Sequence, residues 1–361
     1  MRPIKLRCIC AVIIPRSWLA ALGLSVSLLT MSFIGSAQQA SAPATGLQQN
    51  VIFSEYTPLS ASMELVRRTL SPLANAKIAR AAKNAPLRPQ AVDLTQERFS
   101  VYVPAQRPLQ GYGLLVFIPP WQDAHLPPGW PTVLNEHGMI FVSAAKSGNE
   151  ENILDRRIPL ALLGAYNVMQ RYSIDPDRVY IGGFSGGSRV ALRTALAYPD
   201  FFRGALLNAG SDSIGDGELI PPPDDLFAKF QSSSRLAYVT GSEDAWNIQH
   251  DLVSRDSMQT WCVFGTVVET MSRVGHEIAV PYSVSRALIA LDRRPPVDPG
   301  KLSACRARIA KDLAADLQRV AGLLDRDKFE DAARSLAKID IRYGGLAAPE
   351  IIQLDERIGS P

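Results

Sequence analysis

The chain has 361 residues, of which 47% are hydrophobic and 20% are charged, a composition typical of globular rather than disordered proteins. The formal net charge at pH 7 is only +3 and the sequence has no long basic run, which argues against a nucleic-acid-binding protein. A chain of this length can bury one large core, or a core with a small appendage.

The first 37 residues have the features of an export signal. Basic residues between positions 2 and 16 precede an apolar run at 18–34, and small residues follow at Gly35-Ser36-Ala37. This order predicts a signal peptide over residues 1–37, cleavage near Ala37 or Ala40, and a secreted or periplasmic mature protein. An uncleaved anchor is the alternative, because the apolar run is at the short limit for a membrane-spanning helix.

Two cysteines, Cys262 and Cys305, remain after the predicted cleavage. A disulfide between them, formed in the oxidising environment that an exported protein meets, and two buried thiols are both consistent with the sequence. Their separation has none of the paired-ligand spacing found in zinc sites, so the sequence predicts no metal.

Residues 38–91 carry mixed helical and loop signals and are interpreted as a lead-in segment. From Val92 onward, short apolar runs alternate with amphipathic runs, as strands and helices do in α/β proteins. The predicted strands are Phe99–Val103, Leu114–Ile118, Met139–Ser143, Val179–Gly182, Gly204–Asn208, Leu236–Thr240 and Val267–Ser272. The predicted helices between them are Ile158–Tyr172, Ser188–Tyr198, Ile248–Trp261 and Tyr282–Leu291. Because several strands are apolar at every position, residues 92–292 are predicted to form a mostly parallel central sheet with helices on both faces.

A linker rich in proline follows at residues 293–300. Beyond it, Lys301–Leu324 and Lys328–Ile339 have apolar residues at the three- and four-residue spacing of amphipathic helices. Residues 300–361 are therefore predicted to form a C-terminal appendage built on a helical hairpin. A structural role, with the hairpin packed on the core, and a docking surface are the two interpretations of this segment.

A glycine-rich turn follows the central predicted strand. The segment Gly183-Phe184-Ser185-Gly186-Gly187 lies between a strand run at 178–183 and a helix run at 188–198. A strand, a sharp turn and a helix are the setting of a nucleophile elbow, where glycines two positions either side of the serine avoid collisions. The sequence therefore predicts Ser185 as a nucleophile, with the Gly186 N–H at a helix N-terminus able to bind an oxyanion. A glycine-rich turn capped by a serine is the structural alternative.

A serine hydroxyl needs a general base and a residue that orients the base. In this architecture an acid and then a histidine follow the serine along the chain. Of the two downstream histidines, His276 follows the last predicted strand, whereas His250 lies within a predicted helix, so His276 is the predicted base. Asp244 follows the preceding strand and is the predicted acid, with Glu243 as its competitor.

Three stretches of the chain together resemble a known family. Residues 175–187, the segment Gly241-Ser242-Glu243-Asp244 with Asn247, and Gly275-His276 are similar to the catalytic domains of secreted polyhydroxyalkanoate depolymerases and related feruloyl and acetyl esterases. The resemblance implies an α/β-hydrolase fold, a triad of Ser185, Asp244 and His276, and no cofactor.

The resemblance covers about residues 92–292, and one loop within it departs from the family pattern. These enzymes usually carry His-Gly after the third strand, before the residue whose N–H completes the oxyanion hole. Here the strand Leu114–Ile118 is followed by Pro119-Pro120-Trp121, and neither proline has an N–H. The second donor must therefore come from Trp121 or Gln122, and Trp121 is predicted to act with Gly186.

Three tryptophans, Trp121, Trp130 and Trp246, fall on loops predicted to lie at the carboxyl ends of strands. Aromatic platforms suit aryl, sugar or polyester chains, so Trp121 and Trp246 are predicted to bind substrate. Half-buried packing is the alternative for each of them.

Three functions follow from these features. The first is an exported serine hydrolase that cleaves carboxylic esters through an acyl-enzyme. The second is a serine peptidase on the same fold, because acyl-transfer machinery does not distinguish an ester from an amide. The third is a non-catalytic binding module that retains the elbow, suggested by Pro119 and Pro120 in the loop that would complete the oxyanion hole. The predicted partner is a small-molecule or polymeric ester, without nucleic acid, cofactor or stable membrane insertion after cleavage.

Overall fold

The computed structural model describes residues 44–359 apart from residue 216 and residues 294–296. The predicted signal peptide at residues 1–37 lies outside the described residues. In the part of the chain that is described, no helix combines the length and the apolar character needed to cross a membrane.

One sheet of eight strands forms the centre of the fold. The strands are β1 (Gly46–Val51), β2 (Phe99–Val103), β3 (Tyr112–Ile118), β4 (Met139–Ala144), β5 (Ile174–Phe184), β6 (Gly204–Asn208), β7 (Arg235–Gly241) and β8 (Thr266–Met271). Their order across the sheet is β1-β2-β4-β3-β5-β6-β7-β8. Strand β2 runs antiparallel to both of its neighbours, and all pairs from β4 to β8 are parallel. The central strand β5 therefore has the parallel strands β6, β7 and β8 on one side, and on the other the parallel strands β3 and β4 followed by β2 and β1.

The sequence pattern predicts all of these strands except β1, which lies in the predicted lead-in segment. Its residues, GLQQNV, are mostly polar, and apolar periodicity is the signal on which a strand prediction depends. Strand β1 lies at the edge of the described sheet and pairs with β2, and one side of a strand in this position can remain exposed.

Helices cover both faces of the sheet. They are α1 (Ser62–Thr69), α2 (Pro72–Ala81), α3 (Trp130–His137), α4 (Ile158–Arg171), α5 (Gly186–Ala197), α6 (Asp224–Ser233), α7 (Ala245–Thr260), α8 (Pro281–Asp292), α9 (Pro299–Leu324), α10 (Phe329–Tyr343) and α11 (Glu350–Gly359). Along β3, Leu115 and Phe117 pack in one buried cluster with α3 and α8, whereas Leu114 and Val116 pack in another with α4 and α5. The strand directions and this alternation together confirm a mostly parallel sheet with helices on both faces. The architecture is that of an α/β-hydrolase fold.

The C-terminal helices pack on the α4 and α5 side of the sheet. Helices α9 and α10 form the predicted hairpin, and α11 is a further helix that the sequence pattern does not predict. The buried side chains of Leu302, Val320, Leu336 and Ile351 belong to the same apolar cluster as α4 and α5. These contacts support a structural role for the segment.

Two further contacts join the C-terminal helices to the rest of the fold. A disulfide links Cys262, just after α7, to Cys305 in α9. The buried carboxylate of Asp340 in α10 accepts hydrogen bonds from the Ser71 hydroxyl and, at 3.1 Å, from the Leu73 N–H at the start of α2. Asp340 therefore caps a helix that lies far away in the sequence.

Candidate active site

The turn between β5 and α5 holds Ser185 in an uncommon backbone conformation. Its φ of 55° and ψ of −123° lie in a region that costs free energy for a residue with a side chain. The Ser185 N–H donates to the carbonyl of Asn208 in β6, at 2.9 Å, and ties the turn to the neighbouring strand. The backbone strain and the strand-turn-helix order are those of a nucleophile elbow.

The glycines around Ser185 are required by close packing of the backbone. A Cβ on Gly187 would lie 2.0 Å from the carbonyl oxygen of Ile118, and a Cβ on Gly183 would lie 2.4 Å from the carbonyl of Gly187. Real Cβ atoms do not approach backbone this closely, so the turn can form only without these side chains. Gly187 thereby brings the end of β3 against the first turn of α5.

Three predicted residues meet at the carboxyl ends of the strands. His276, in the loop after β8, lies with its Nε2 2.9 Å from the Ser185 hydroxyl. Its Nδ1 lies 2.7 Å from Oδ2 of Asp244, in the loop after β7. The carboxylate can only accept, so Nδ1 carries the proton and Nε2 is free to accept from Ser185. The structure thus brings Ser185, His276 and Asp244 into one hydrogen-bonded chain.

Asn247 is a further member of this group for which the sequence analysis gives no role. Its side-chain nitrogen donates to Oδ2 of Asp244 at 2.8 Å and lies 3.0 Å from Nδ1 of His276. The histidine and the asparagine are therefore two donors that share one carboxylate oxygen. The sequence signals are its place in the segment that resembles esterase catalytic domains and its three-residue spacing from Asp244 at the start of a helix, where such contacts occur.

Asp244 is buried, whereas His276 retains solvent access. Burial opposes ionisation of the carboxyl group, but hydrogen bonds from His276 and Asn247 outweigh it and lower the pKa of Asp244 below its usual value. The carboxylate is therefore charged at neutral pH, as a group that stabilises an imidazolium must be.

The competing residues have other surroundings. Glu243 is exposed, and its N–H donates to the carbonyl of Val274 at 2.9 Å. His250 lies in α7, where its ring is 4.7 Å from that of Trp246. The structure therefore joins Ser185 to His276 and His276 to Asp244, and neither Glu243 nor His250 belongs to this hydrogen-bonded chain.

Hydrogen bonds to its carbonyl groups fix the segment Pro119-Pro120-Trp121 after β3, called the proline loop below. The Pro119 carbonyl accepts from the Arg157 guanidinium at 3.0 Å, and the Pro120 carbonyl accepts from the Asn149 N–H at 3.0 Å. Because Gly187 packs on Ile118 and Pro119, this loop runs beside Gly186 at the start of α5. Trp121 is the first residue after the prolines that has an N–H, and its ring lies 6.1 Å from that of Phe184, beside Ser185.

Arg157 is a residue that the sequence analysis does not single out. Its buried guanidinium also donates to the carbonyl of Ser147, at 2.9 Å, so that it joins two loops at the carboxyl ends of β3 and β4. Burial lowers the pKa of Arg157 to about 10, and the side chain is still a cation at neutral pH. It lies at the end of a π-helical turn, Ile153–Arg157, a conformation that is frequent at functional sites.

A row of aromatic rings borders Ser185. The ring of Phe184 lies 4.9 Å from His276 and 6.1 Å from Trp121, which stacks on His125 at 4.7 Å. Trp246, near the start of α7, is 71% exposed.

The prediction that Trp130 lies on the rim is wrong. Trp130 begins α3 and is fully buried between that helix and α8, where its ring nitrogen donates to the carbonyl of Ala279 at 3.0 Å. The residue therefore belongs to the core and has no access to a substrate.

Among the described residues, no group of three or more histidine, cysteine, aspartate or glutamate side chains could hold a metal ion. The groups that meet at Ser185 are a hydroxyl, an imidazole and a carboxylate.

No protein-family model and no curated protein matches the sequence, whereas solved structures with a similar chain path include hydrolases and esterases. The S-formylglutathione hydrolase of Staphylococcus aureus is 15% identical, with a TM-score of 0.44, over 54% of this chain and 92% of that chain. An acetyl xylan esterase from Aspergillus awamori is 14% identical, with a TM-score of 0.41, over 55% of this chain and 95% of that chain. Dipeptidyl peptidase 4 of Porphyromonas gingivalis is 14% identical, with a TM-score of 0.40, over 55% of this chain and 34% of that chain.

Proposed function

We propose that this protein is a serine hydrolase that cleaves carboxylic esters through an acyl-enzyme, with Ser185 as the nucleophile. The observation that carries the proposal is the hydrogen-bonded chain from Ser185 through His276 to Asp244, which begins at a strained strand-to-helix turn. A serine hydroxyl is a weak nucleophile unless a base takes its proton, and this arrangement supplies the base and fixes its tautomer.

In acylation, the Ser185 oxygen attacks the ester carbonyl carbon while its proton passes to Nε2 of His276. The π electrons of the carbonyl move to its oxygen, where the N–H groups of Gly186 and Trp121 are the proposed donors. The tetrahedral intermediate then collapses, the bond to the alcohol oxygen breaks, and His276 returns the proton to the departing alcohol.

In deacylation, a water molecule takes the place of the alcohol. His276 accepts a proton from the water as its oxygen attacks the acyl carbon, and the second tetrahedral intermediate expels the Ser185 oxygen. The serine recovers the proton from His276, and the carboxylic acid leaves. Throughout the cycle, Asp244 holds the imidazole in one orientation, and the amide of Asn247 donates to the Asp244 carboxylate.

The aromatic row beside Ser185 supports an ester with a flat or extended apolar part. Phe184 and Trp121 provide ring faces next to the nucleophile, and the exposed Trp246 provides another near the acid loop. The polyester, feruloyl and acetyl esters implied by the sequence resemblance all offer such a part or a small acyl group, and they define the substrates to test.

We also propose that the enzyme acts outside the cytoplasm. The basic and apolar order of residues 1–37 supports export, and the Cys262–Cys305 disulfide is of a kind that persists in oxidising compartments. N-terminal sequencing of the protein recovered from the producing cells would locate the cleavage expected near Ala37 or Ala40.

The test of the proposed reaction is a substrate panel of nitrophenyl esters, feruloyl esters, polyhydroxybutyrate and peptides. The wild type should hydrolyse at least one ester class, and Ser185→Ala should lose that activity with its fold intact. Ser173→Ala is the matched control, since this exposed serine lies just before β5, at the opposite end of the strand, and should retain full activity. Hydrolysis confined to peptides would favour a peptidase, and a folded protein inert on the whole panel would favour a binding module.

A further inference from the structure

Asn149 lies beside the nucleophile elbow, on the loop that follows β4. An added Cβ on Gly186 would lie 2.3 Å from its side-chain oxygen and 3.1 Å from its side-chain nitrogen. The amide of Asn149 therefore occupies the space into which any side chain at position 186 would point. It is exposed, and it touches the residue whose N–H is the proposed oxyanion donor.

The backbone of this loop is fixed to the proline loop. The Asn149 N–H donates to the Pro120 carbonyl at 3.0 Å, and a Cβ on Gly148 would lie 2.9 Å from the carbonyl carbon of Trp121. The Arg157 guanidinium holds the carbonyls of Ser147 and Pro119 together. Asn149 is thus anchored through its main chain while its side chain faces the elbow.

Within the described part of the chain, the Asn149 side-chain amide makes no hydrogen bond. It can turn about its last bond and present its two N–H donors. An oxyanion bound by the Gly186 N–H would lie about 2.9 Å from that nitrogen, which is within reach of an amide in contact with the Gly186 Cα. The prolines at 119 and 120 provide no N–H on the other side of this space.

We propose that the Asn149 side-chain amide is a further catalytic group, which donates a hydrogen bond to the carbonyl oxygen as it becomes an oxyanion. This inference rests on the proposed ester hydrolysis, because the oxygen in question belongs to the ester. Each hydrogen bond that strengthens in the transition state lowers the barrier, and Asn149 contributes one in addition to those of the Gly186 and Trp121 N–H groups.

The first measurement compares kcat and KM of the wild type, Asn149→Ala and Asn149→Asp on the best ester of the panel. Loss of one oxyanion donor should lower kcat by about 100-fold and leave KM within about threefold. Asn149→Asp should lose more, because it places a negative charge where negative charge develops. Asn84→Ala is the control, since this exposed amide lies in the turn after α2, and it should keep the wild-type kcat.

A second variant tests the contact itself. Gly186→Ala keeps the backbone N–H and a helical conformation, but its Cβ must displace the Asn149 amide. It should therefore lower kcat about as much as Asn149→Ala does. The kcat of the double variant Gly186→Ala/Asn149→Ala should be within about threefold of that of either single variant. Losses that multiply in the double variant would show that the two changes act separately and would overturn the assignment.

The two proposals can fail separately. Asn149→Ala should still form one acyl-enzyme per chain on Ser185, only more slowly, with an unchanged thermal unfolding midpoint. If the wild type turns over and both Asn149 variants keep its kcat, or only their KM rises, Asn149 is not an oxyanion donor. If the wild type forms no acyl-enzyme at all, the proposed function fails, and the role of Asn149 fails with it.

Discussion

Ser185 has a backbone conformation that costs about 1–3 kcal/mol for a residue with a side chain, and the surrounding structure must hold it in place. Gly183 and Gly187 leave room for the turn, and the Asn208 carbonyl holds the Ser185 N–H. Strain of this kind is compatible with folding because it is confined to one residue. Its consequence is a hydroxyl that points away from the sheet toward His276.

The role of Asp244 gives a prediction at the same scale. Asp244→Asn should lower kcat by about 10³- to 10⁴-fold with folding intact, because an amide cannot hold His276 in the tautomer that accepts from Ser185. The measurement is steady-state hydrolysis of the best ester, with circular dichroism to verify the fold. Glu243→Gln, the exposed neighbour, is the matched control and should behave as wild type. If Glu243→Gln loses the activity instead, the acid has been assigned to the wrong residue.

Which site residues the sequence can predict depends on whether they occur in a motif. Ser185, Asp244 and His276 are predictable, because the elbow has a local pattern and the order of the other two along the chain is fixed by the strands. Arg157 and Asn149 have no such pattern. Both residues act through contacts between loops that follow separate strands, and a single sequence does not show which loops are in contact.

At the scale of elements, long-range capping joins the two ends of the described chain. Helix α2 begins in the predicted lead-in segment, and its first N–H groups are satisfied by Ser71 and by Asp340 from α10. Burial raises the pKa of the Asp340 carboxyl, and the hydrogen bonds from Ser71 and Leu73 oppose this rise only in part. The folded state therefore binds the Asp340 proton more tightly than the unfolded state does.

This shift predicts how the stability depends on pH. The stability that Asp340 contributes is fully present below its unfolded pKa, about 3.9, and is lost as the pH rises through the higher folded value. Asp340→Asn cannot lose a proton but keeps an oxygen for the Leu73 N–H. Its free energy of unfolding, measured in urea, should fall less than that of the wild type between about pH 4 and pH 7. Identical pH profiles for the two proteins would contradict the prediction.

The elements that the sequence pattern fails to predict have physical reasons for being missed. Strand β1 is polar because it lies at an exposed edge, and α6 follows a run of prolines that indicates a loop. Helix α3 is short and begins with Trp130-Pro131, which the pattern places in a loop, whereas burial of the indole between α3 and α8 stabilises a helix there. In each case tertiary contacts outweigh the local signal.

For the whole molecule, the residues that the structure describes all belong to one compact unit. Within its described part, the C-terminal helices share a buried apolar cluster with α4 and α5, and the disulfide joins α9 to the end of α7. The helices beyond residue 298 thus contribute to the same core as the central sheet, and we expect the protein to unfold in one cooperative transition.

The disulfide provides a test of that coupling. The Cys262–Cys305 bridge spans 43 residues, and its loss should lower the free energy of unfolding by about 2–4 kcal/mol. The measurement is urea unfolding of the protein with and without a reductant. The double variant Cys262→Ser/Cys305→Ser should match the reduced wild type and should not respond to the reductant. A wild type that is equally stable in both conditions would show that the bridge adds nothing to the fold.

The most direct test of the account is the reaction of the folded protein with a fluorophosphonate, followed by intact-mass and peptide mass spectrometry. The account predicts one label per chain, located on Ser185, and no label in Ser185→Ala or in unfolded wild type. His276→Gln should be labelled far more slowly, because the base that takes the serine proton is gone. A folded wild-type protein that stays unlabelled, or that carries its label on another residue, would contradict the central claim that Ser185 is an activated nucleophile.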